Sequence, residues 1–220
     1  MMLKELKIAD LFSIFNAAFG FGGMVYLFTS GLNSHVFYFL YLSSFMDGAD
    51  GIAANKFGKS PFGKDLDSLA DSISFGVFPA LILAYYNSTL IIPAIIFVVT
   101  SILRLARFNV VEAKNFIGYP TIASALLVTS LIRLNFDVAV IFVITILLAC
   151  LMISDFEYLK IRDRLSLFVL GTVILSCFFV SEAVYALLCL AVIYLISPFP
   201  LEVMRWWEKK KLERLLSKRE

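Results

Sequence analysis

The stretch FMDGADGIAANKFGKSPFGKDLDSLADSISFG, residues 45–76, places five aspartates within 25 positions. The chain around it is 60% hydrophobic and only 16% charged, with a mean hydropathy of +0.89. About a quarter of the residues are charged in an ordinary soluble domain. The sequence therefore concentrates acidic side chains in a chain of membrane-like composition, and something must balance their charge.

Long apolar runs such as LIIPAIIFVVTSIL and VAVIFVITILLACLMIS approach the roughly 20 residues that cross a bilayer as a helix. Turn residues and charges separate eight apolar segments. Their approximate bounds are 11–29, 35–57, 63–86, 89–108, 119–133, 137–154, 164–180 and 183–203. We predict an all-α fold: a polytopic integral membrane helical bundle with about eight transmembrane helices, forming a single domain over 1–220. The first turns are expected to form an N-terminal interfacial helix.

Basic residues lie in alternate loops of this scheme. They are Lys4 and Lys7, then Lys56, Lys59 and Lys64, then Arg107 and Lys114, then Lys160, Arg162 and Arg164, and finally the basic run 205–219. In the other loops of the scheme, Arg133 is the only Lys or Arg residue. The positive-inside rule then predicts a cell-membrane protein with both termini and the aspartates on the cytoplasmic side. We expect no removable signal peptide, and an interfacial helix in RWWEKKKLERLLSKRE. The net charge of +2 is too small to indicate a nucleic-acid partner.

The aspartates keep helical phase. Asp47 and Asp50 are three residues apart, and Asp67 and Asp71 are four apart, so each pair shares one face of its helix. Two adjacent antiparallel helices can thus present four carboxylates to each other. A carboxylate within a membrane is costly, and oxygen ligands without His or Cys favour hard divalent cations. Two such ions would balance the charge and suit phosphate chemistry.

The same stretch resembles the signature of the CDP-alcohol phosphotransferases, D-x2-D-G-x2-A-R-x8-G-x3-D-x3-D. The matching residues are Asp47, Asp50, Gly51, Ala54, Gly63, Asp67 and Asp71. Asn55 stands where the family has Arg, and seven residues instead of eight separate it from Gly63. Lys56, Lys59 and Lys64 are the candidates to supply the missing charge.

The resemblance implies a metal-dependent transfer of a phosphatidyl-type group from a CDP-lipid to an alcohol, with release of CMP. It implies two divalent cations, Mg²⁺ or Mn²⁺, on Asp47, Asp50, Asp67 and Asp71, and Asp71 as the catalytic base. The CDP-lipid, CDP-diacylglycerol or CDP-archaeol, is expected to be bound by Asn16, Asp47, Asp50, Gly51, Ala54, Asn55, Lys59, Gly63 and Lys64. The resemblance also implies a homodimer embedded among membrane lipids.

Three further motifs, FGKDLDSLADSISFG, RLARFNV and FIGYPTIASA, resemble the phosphatidylserine synthase branch of that family. L-serine would then be the acceptor, and its carboxylate needs a cation. Arg104 and Arg107 are the candidates, because Arg binds carboxylate in a bidentate fork, and Asn109 is expected to orient the amino acid.

Alternatives stay open at this point. Both arginines also fit as topology anchors at the end of a span. The acceptor could instead be glycerol 3-phosphate or an inositol phosphate, although a phosphorylated acceptor favours a more basic pocket. A divalent-cation transporter would also place carboxylates in a membrane, but nearer the midplane on broken helices.

Overall fold

A computed structural model describes residues 5–111, 115–159 and 164–199 of the chain. The helices in these ranges are α1 (Ile8–Ser30), α2 (Ser34–Phe57), α3 (Gly63–Asp71), α4 (Phe78–Tyr86), α5 (Ile91–Val110), α6 (Thr121–Arg133), α7 (Val138–Ile153), α8 (Arg164–Ser176) and α9 (Ala183–Ile196). A π-helical turn, Ser72–Val77, joins α3 to α4, and a 3₁₀ turn, Ser88–Leu90, precedes α5. The prediction of a helical fold is confirmed.

One small sheet departs from that prediction. Strands β1 (Phe116–Ile117) and β2 (Glu157–Tyr158) pair antiparallel, with Phe116 opposite Tyr158. They lie in the connections before α6 and after α7, so the pair links two loops at one end of the bundle. Two-residue strands are too short to give a periodic sequence signal.

Three helical stretches are long and apolar enough to cross a membrane, namely Ile8–Ser30, Gly63–Tyr86 and Ser88–Val110. Helix α2 has 24 residues but carries polar and charged side chains in its last turns. Helices α6 to α9 have 13 to 16 residues, which corresponds to about 20–24 Å of helix against a hydrocarbon core of about 30 Å. The architecture is that of a helical membrane protein, and the count of eight spans stays a prediction.

The helices bury one apolar core and expose another apolar surface. Large buried side chains include Phe75, Phe78 and Phe97, which are fully inaccessible. Phe28 and Phe179, by contrast, are 67% and 83% exposed. Large apolar residues on the outside of a helical bundle are typical of a surface that contacts lipid.

The beginning of the chain differs from the expectation of a separate interfacial helix. Residues 5–7 are not helical, and α1 continues as one helix from Ile8 to Ser30. The backbone N–H of Lys7 donates to Asp10 Oδ2 at 2.7 Å, which satisfies a donor at the start of the helix. The described residues therefore contain no separate N-terminal helix. The predicted helix at 205–220 lies outside them.

The bundle has two polar ends, which we name by their residues. The aspartate end contains the first turns of α1 (residues 8–16), the end of α2, the connection 58–62, α3 and the end of α5 (residues 104–110). The Arg133 end contains the start of α2, the end of α6 and the end of α8. Contacts between side chains join the helices at each end, as described below. Successive helices run in opposite directions except α3 and α4, which continue each other through the π-helical turn.

Candidate active site

Three carboxylates meet at the aspartate end. Asp47 comes from α2, and Asp67 and Asp71 lie one turn apart on α3. One carboxylate oxygen from each lies within 4.8 Å of the others, and all three residues are half-buried. The predicted meeting of the two helix faces is therefore found for these three residues.

Asp50 lies beside this group and is linked to it by a lysine. Its Oδ2 accepts hydrogen bonds from Ser13 Oγ at 2.9 Å and from Lys59 Nζ at 3.2 Å. Lys59 Nζ also lies 3.1 Å from Asp67 Oδ2. Burial disfavours the Lys59 ammonium, but the carboxylates of Asp67 and Asp50 outweigh this effect and raise its pKa.

The carboxylates fit a divalent cation. Asp50 Oδ1 and Asp67 Oδ1 are buried, and neither has a hydrogen-bond partner among the described residues. A buried acceptor without a partner is destabilising by roughly 1–3 kcal/mol, so an outside group is expected to satisfy it. Carboxylate oxygens clustered in this way are the ligands that hard divalent ions prefer.

Asn16 of α1 holds one of the carboxylates. Its Nδ2 donates to Asp71 Oδ1 at 3.0 Å, and its own Oδ1 is buried without a partner in the described part of the chain. The backbone carbonyl of Asn16 accepts hydrogen bonds from Ser43 Oγ and Ser74 Oγ. No motif in the sequence includes Ser43, whereas Ser74 lies in the SFG motif.

The signature glycines lie in two different environments. A Cβ on Gly63 would be 2.7 Å from Asp10 Oδ1 and 2.9 Å from Lys59 Cβ, so α1 and the loop pack directly against this position. A Cβ on Gly48 or Gly51 would meet no described atom within 4 Å. Gly63 therefore permits close packing of the protein, while the open space at Gly48 and Gly51 can admit a ligand.

The three candidate lysines separate clearly. Lys59 lies among the carboxylates, as described above. Lys64 Nζ donates to the backbone carbonyl of Asn109 at 2.8 Å and lies 5.6 Å from the centre of the Phe108 ring. Lys56 is exposed, as is the neighbouring Asn55, while Ala54 is half-buried.

Arg104 is buried near the carboxylates, with 6% of its surface exposed. Its Nη1 donates to Thr121 Oγ1 at 3.0 Å, and its guanidinium carbon lies 5.5 Å from the centre of the Phe116 ring. It interacts electrostatically with Asp71 and Asp47. Its Nε is buried without a hydrogen-bond partner among the described residues.

Arg107, one turn further along α5, is bound to the protein. Its Nη1 donates to Asp155 Oδ1 at 3.1 Å and to the carbonyl of Ile153 at 3.3 Å. Its Nη2 donates to the carbonyl of Ser154 at 2.6 Å. These bonds satisfy carbonyls at the end of α7, where a cation also interacts favourably with the helix dipole.

Asn109 joins α5 to α3. Its Nδ2 donates to Asp65 Oδ1 at 3.1 Å, and its Oδ1 accepts from Ser68 Oγ at 2.9 Å. Of the three predicted serine-binding residues, Arg104 is thus the one with an unpaired buried donor.

Fold and site together define a helical membrane protein with a carboxylate cluster suited to hard divalent cations. A family model described as CDP-alcohol phosphatidyltransferase matches residues 6–153. The chain belongs to this family, which makes it a transferase of phospholipid synthesis. The alternative of a divalent-cation transporter is therefore set aside.

Several curated proteins are similar to the chain over most of its length. A CDP-diacylglycerol–serine O-phosphatidyltransferase of Methanocaldococcus jannaschii is 37% identical over 169 residues, which are 76% of this chain and 80% of that protein. An archaetidylserine synthase of Methanothermobacter thermautotrophicus is 35% identical over 169 residues, 71% of each chain. A CDP-diacylglycerol–serine O-phosphatidyltransferase of Helicobacter pylori is 34% identical over 207 residues, 83% of this chain and 87% of that protein.

Proposed function

We propose that this protein transfers a phosphatidyl or archaetidyl group from a CDP-activated lipid to the hydroxyl of L-serine. The serine oxygen forms a bond to the lipid-side phosphorus, the bond from that phosphorus to CMP breaks, and CMP leaves. The serine hydroxyl loses its proton to a base. Family membership and the names of the similar proteins support this reaction. The observation that carries the choice of serine is the buried Arg104, with its unpaired Nε, beside the carboxylates.

The aspartates would hold two divalent cations, Mg²⁺ or Mn²⁺, on Asp47, Asp50, Asp67 and Asp71. Bound there, the ions supply positive charge to the diphosphate and to the leaving CMP. Asp71 is the proposed base for the serine hydroxyl, and the Asn16 amide fixes one of its oxygens.

The CDP-lipid is proposed to enter beside α2, where Gly51 leaves space and the half-buried Ala54 continues the same face. Lys59 then supplies the positive charge that the family Arg would give at Asn55, since it is the candidate lysine that lies among the carboxylates. Lys64 and Gly63 are proposed to shape the CDP-lipid site: Lys64 lies at its edge and bonds the Asn109 carbonyl, and Gly63 lets α1 pack closely against the connection after α2.

The serine carboxylate is proposed to bind Arg104. Thr121 and the Phe116 ring hold two sides of the guanidinium, which leaves Nε for the ligand. Arg107 and Asn109 follow Arg104 on α5. Their bonds to the end of α7 and to α3 hold this end of α5 in place beside the proposed serine site. Glycerol 3-phosphate and inositol phosphates carry a phosphate dianion, which favours a more basic pocket than one buried arginine provides.

The direct test is CMP release by the purified protein. The assay contains CDP-diacylglycerol or CDP-archaeol, Mg²⁺ or Mn²⁺, and one alcohol at a time: L-serine, glycerol 3-phosphate or an inositol phosphate. We expect L-serine to give the fastest release. The lipid that is used more rapidly shows whether the substrate carries diacyl or isoprenoid-ether chains. Faster release with a phosphorylated alcohol would contradict the assignment of serine.

We also propose that the aspartate end and both termini face the cytoplasm and that the protein forms a homodimer. The loop charges support the orientation, because Lys56, Lys59, Lys64 and Arg107 all lie at the aspartate end. Cysteine labelling from the two sides of the membrane tests the orientation. A monomeric mass in mild detergent would contradict the dimer.

A further inference from the structure

One backbone carbonyl in α1 is shared by three helical segments. The carbonyl oxygen of Asn16 accepts from Ser43 Oγ of α2 at 3.1 Å and from Ser74 Oγ of the π-helical turn at 2.8 Å. Both serines are fully buried. A buried serine in a helix usually bonds a carbonyl of its own preceding turn, as Ser44 does with Leu40 at 2.9 Å. The bonds of Ser43 and Ser74 instead cross between helices.

The side chain of the same residue reaches the proposed base. Asn16 is fully buried, and its Nδ2 donates to Asp71 Oδ1. The amide thus presents its donor to the Asp71 carboxylate. The orientation of the Asp71 carboxylate thus depends on where the backbone of Asn16 is held.

The packing around Ser74 leaves little freedom for this arrangement. Asp71 directly precedes the π-helical turn Ser72–Val77, a type of turn that is frequent at functional sites. Gly20, one turn along α1 from Asn16, faces Ser74, and a Cβ there would lie 2.8 Å from Ser74 Cα. The backbones of α1 and of the π-helical turn are therefore in close contact beside Asn16.

We propose that Ser43 and Ser74 are positioning residues that hold the Asp71 carboxylate, through Asn16, in the orientation needed to take the proton of the acceptor hydroxyl. This inference rests on the proposed function, in which Asp71 is the base. The two hydroxyls fix the Asn16 carbonyl against α2 and the π-helical turn, and the Asn16 amide then fixes Asp71. Small misplacements of a reacting group are enough to slow a reaction strongly.

The test compares Ser43→Ala and Ser74→Ala with Ser44→Ala, a buried neighbour whose hydroxyl bonds within its own helix. Loss of one positioning hydrogen bond should lower kcat about three- to tenfold. The KM for the CDP-lipid and the KM for L-serine should stay within about twofold. Neither Ser43 nor Ser74 contacts the two substrates in this proposal. Ser44→Ala should leave both constants unchanged. Ser43→Thr keeps the hydroxyl and should restore kcat.

A double-mutant comparison separates positioning from a general loss of structure. In an Asn16→Ala background the path to Asp71 is already broken, so adding Ser74→Ala should lower kcat by less than about twofold. An equal loss in both backgrounds would overturn the proposal. So would unchanged kcat in both single variants, or a kcat loss that Ser43→Thr does not restore.

The same series distinguishes this inference from the proposed function. If wild-type protein releases CMP faster with another alcohol, the assignment of serine fails, and the kcat comparison is made with that alcohol. If no alcohol stimulates release, the slow release of CMP to water is compared instead. In each case a kcat loss specific to Ser43→Ala and Ser74→Ala supports the positioning of Asp71, and its absence contradicts it.

Discussion

The two ends of the bundle differ in whether their polar side chains have hydrogen-bond partners within the protein. At the Arg133 end, Arg133 donates to the Tyr41 hydroxyl at 3.0 Å and to the Cys177 carbonyl at 3.1 Å. Its guanidinium also lies within 6 Å of the centres of the Phe37, Tyr38 and Tyr41 rings, the longest of these distances being 5.9 Å. The protein itself supplies the partners of this cation.

At the aspartate end, several buried polar atoms are left without partners. Within the described residues, all such side-chain atoms except Ser130 Oγ lie there: Asp10 Oδ1, Asn16 Oδ1, Asp50 Oδ1, Ser60 Oγ, Asp67 Oδ1 and Arg104 Nε. Unpaired buried groups destabilise a protein, so a cluster of them indicates groups reserved for a ligand. This difference supports the proposal that the aspartate end binds substrate while the Arg133 end stabilises the fold.

The largest expected effect is the loss of a clustered carboxylate. Asp67→Asn should lower kcat about a thousandfold or more, because the site loses a charged ligand for the cations and a partner of Lys59. The circular dichroism spectrum should remain helical. CMP release and divalent-ion binding measure the effect.

Asp65→Asn is the matched control, since Asp65 lies on the same helix but bonds Asn109 outside the cluster. We expect it to change kcat by less than about fivefold, as a single exposed hydrogen bond contributes little. Equal losses in the Asp65 and Asp67 variants would contradict the assignment of the cluster as the active site.

Helical phase explains why the cluster could be predicted from the sequence. Asp67 and Asp71 must share a face at a spacing of four, and the short connection after α2 brings Asp47 opposite them. The positions of the helices were likewise readable from apolar segments and turn residues. These features depend on local spacing alone.

Other features depend on contacts between distant segments, which a single sequence does not reveal. Lys56, Lys59 and Lys64 have similar local surroundings in the sequence, and only the path of the loop after α2 selects Lys59. Arg107 caps the carbonyls at the end of α7 because that end lies against it, which only the tertiary structure reveals. The bond from Ser43 to Asn16 spans two helices, so no spacing rule indicates it.

The second effect in size separates the two arginines. Arg104→Ala should raise the serine KM about ten- to a hundredfold, since a hydrogen bond to a charged group contributes roughly 1.5–3 kcal/mol. The KM for the CDP-lipid should change little. Discrimination against ethanolamine, which lacks the carboxylate, should weaken. Steady-state kinetics with both amines measures these changes.

Arg107→Ala is the comparison for Arg104→Ala. Because Arg107 bonds the end of α7, its loss should lower the thermal unfolding temperature more than it changes serine kinetics. The sequence predicted a serine contact for both arginines. A larger rise in serine KM for Arg107→Ala than for Arg104→Ala would reverse the roles given to them here.

The third effect concerns the charge that replaces the family Arg. Lys59→Ala should raise the KM for the CDP-lipid about three- to tenfold, because the ammonium at the carboxylates no longer attracts the diphosphate. Lys56→Ala, an exposed position on the preceding turn, is its control and should behave like wild type. Identical kinetics for Lys59→Ala and wild type would show that Asn55 is not compensated by Lys59.

The smallest effect on turnover is expected at the opposite end. Arg133→Met removes a cation that the protein itself satisfies, and leaves the Cys177 carbonyl and the Tyr41 hydroxyl without their partner. Unfolding should become easier by about 1–3 kcal/mol, the cost of unpaired buried groups. Both KM values and kcat should stay within about twofold of wild type, measured below the lowered unfolding temperature.

Arg133→Lys keeps the charge but not the two-pronged geometry, so it should recover only part of the stability. A tenfold fall in kcat for Arg133→Met at full helical content would mean that the Arg133 end also acts on the reaction, and would remove the distinction drawn between the two ends.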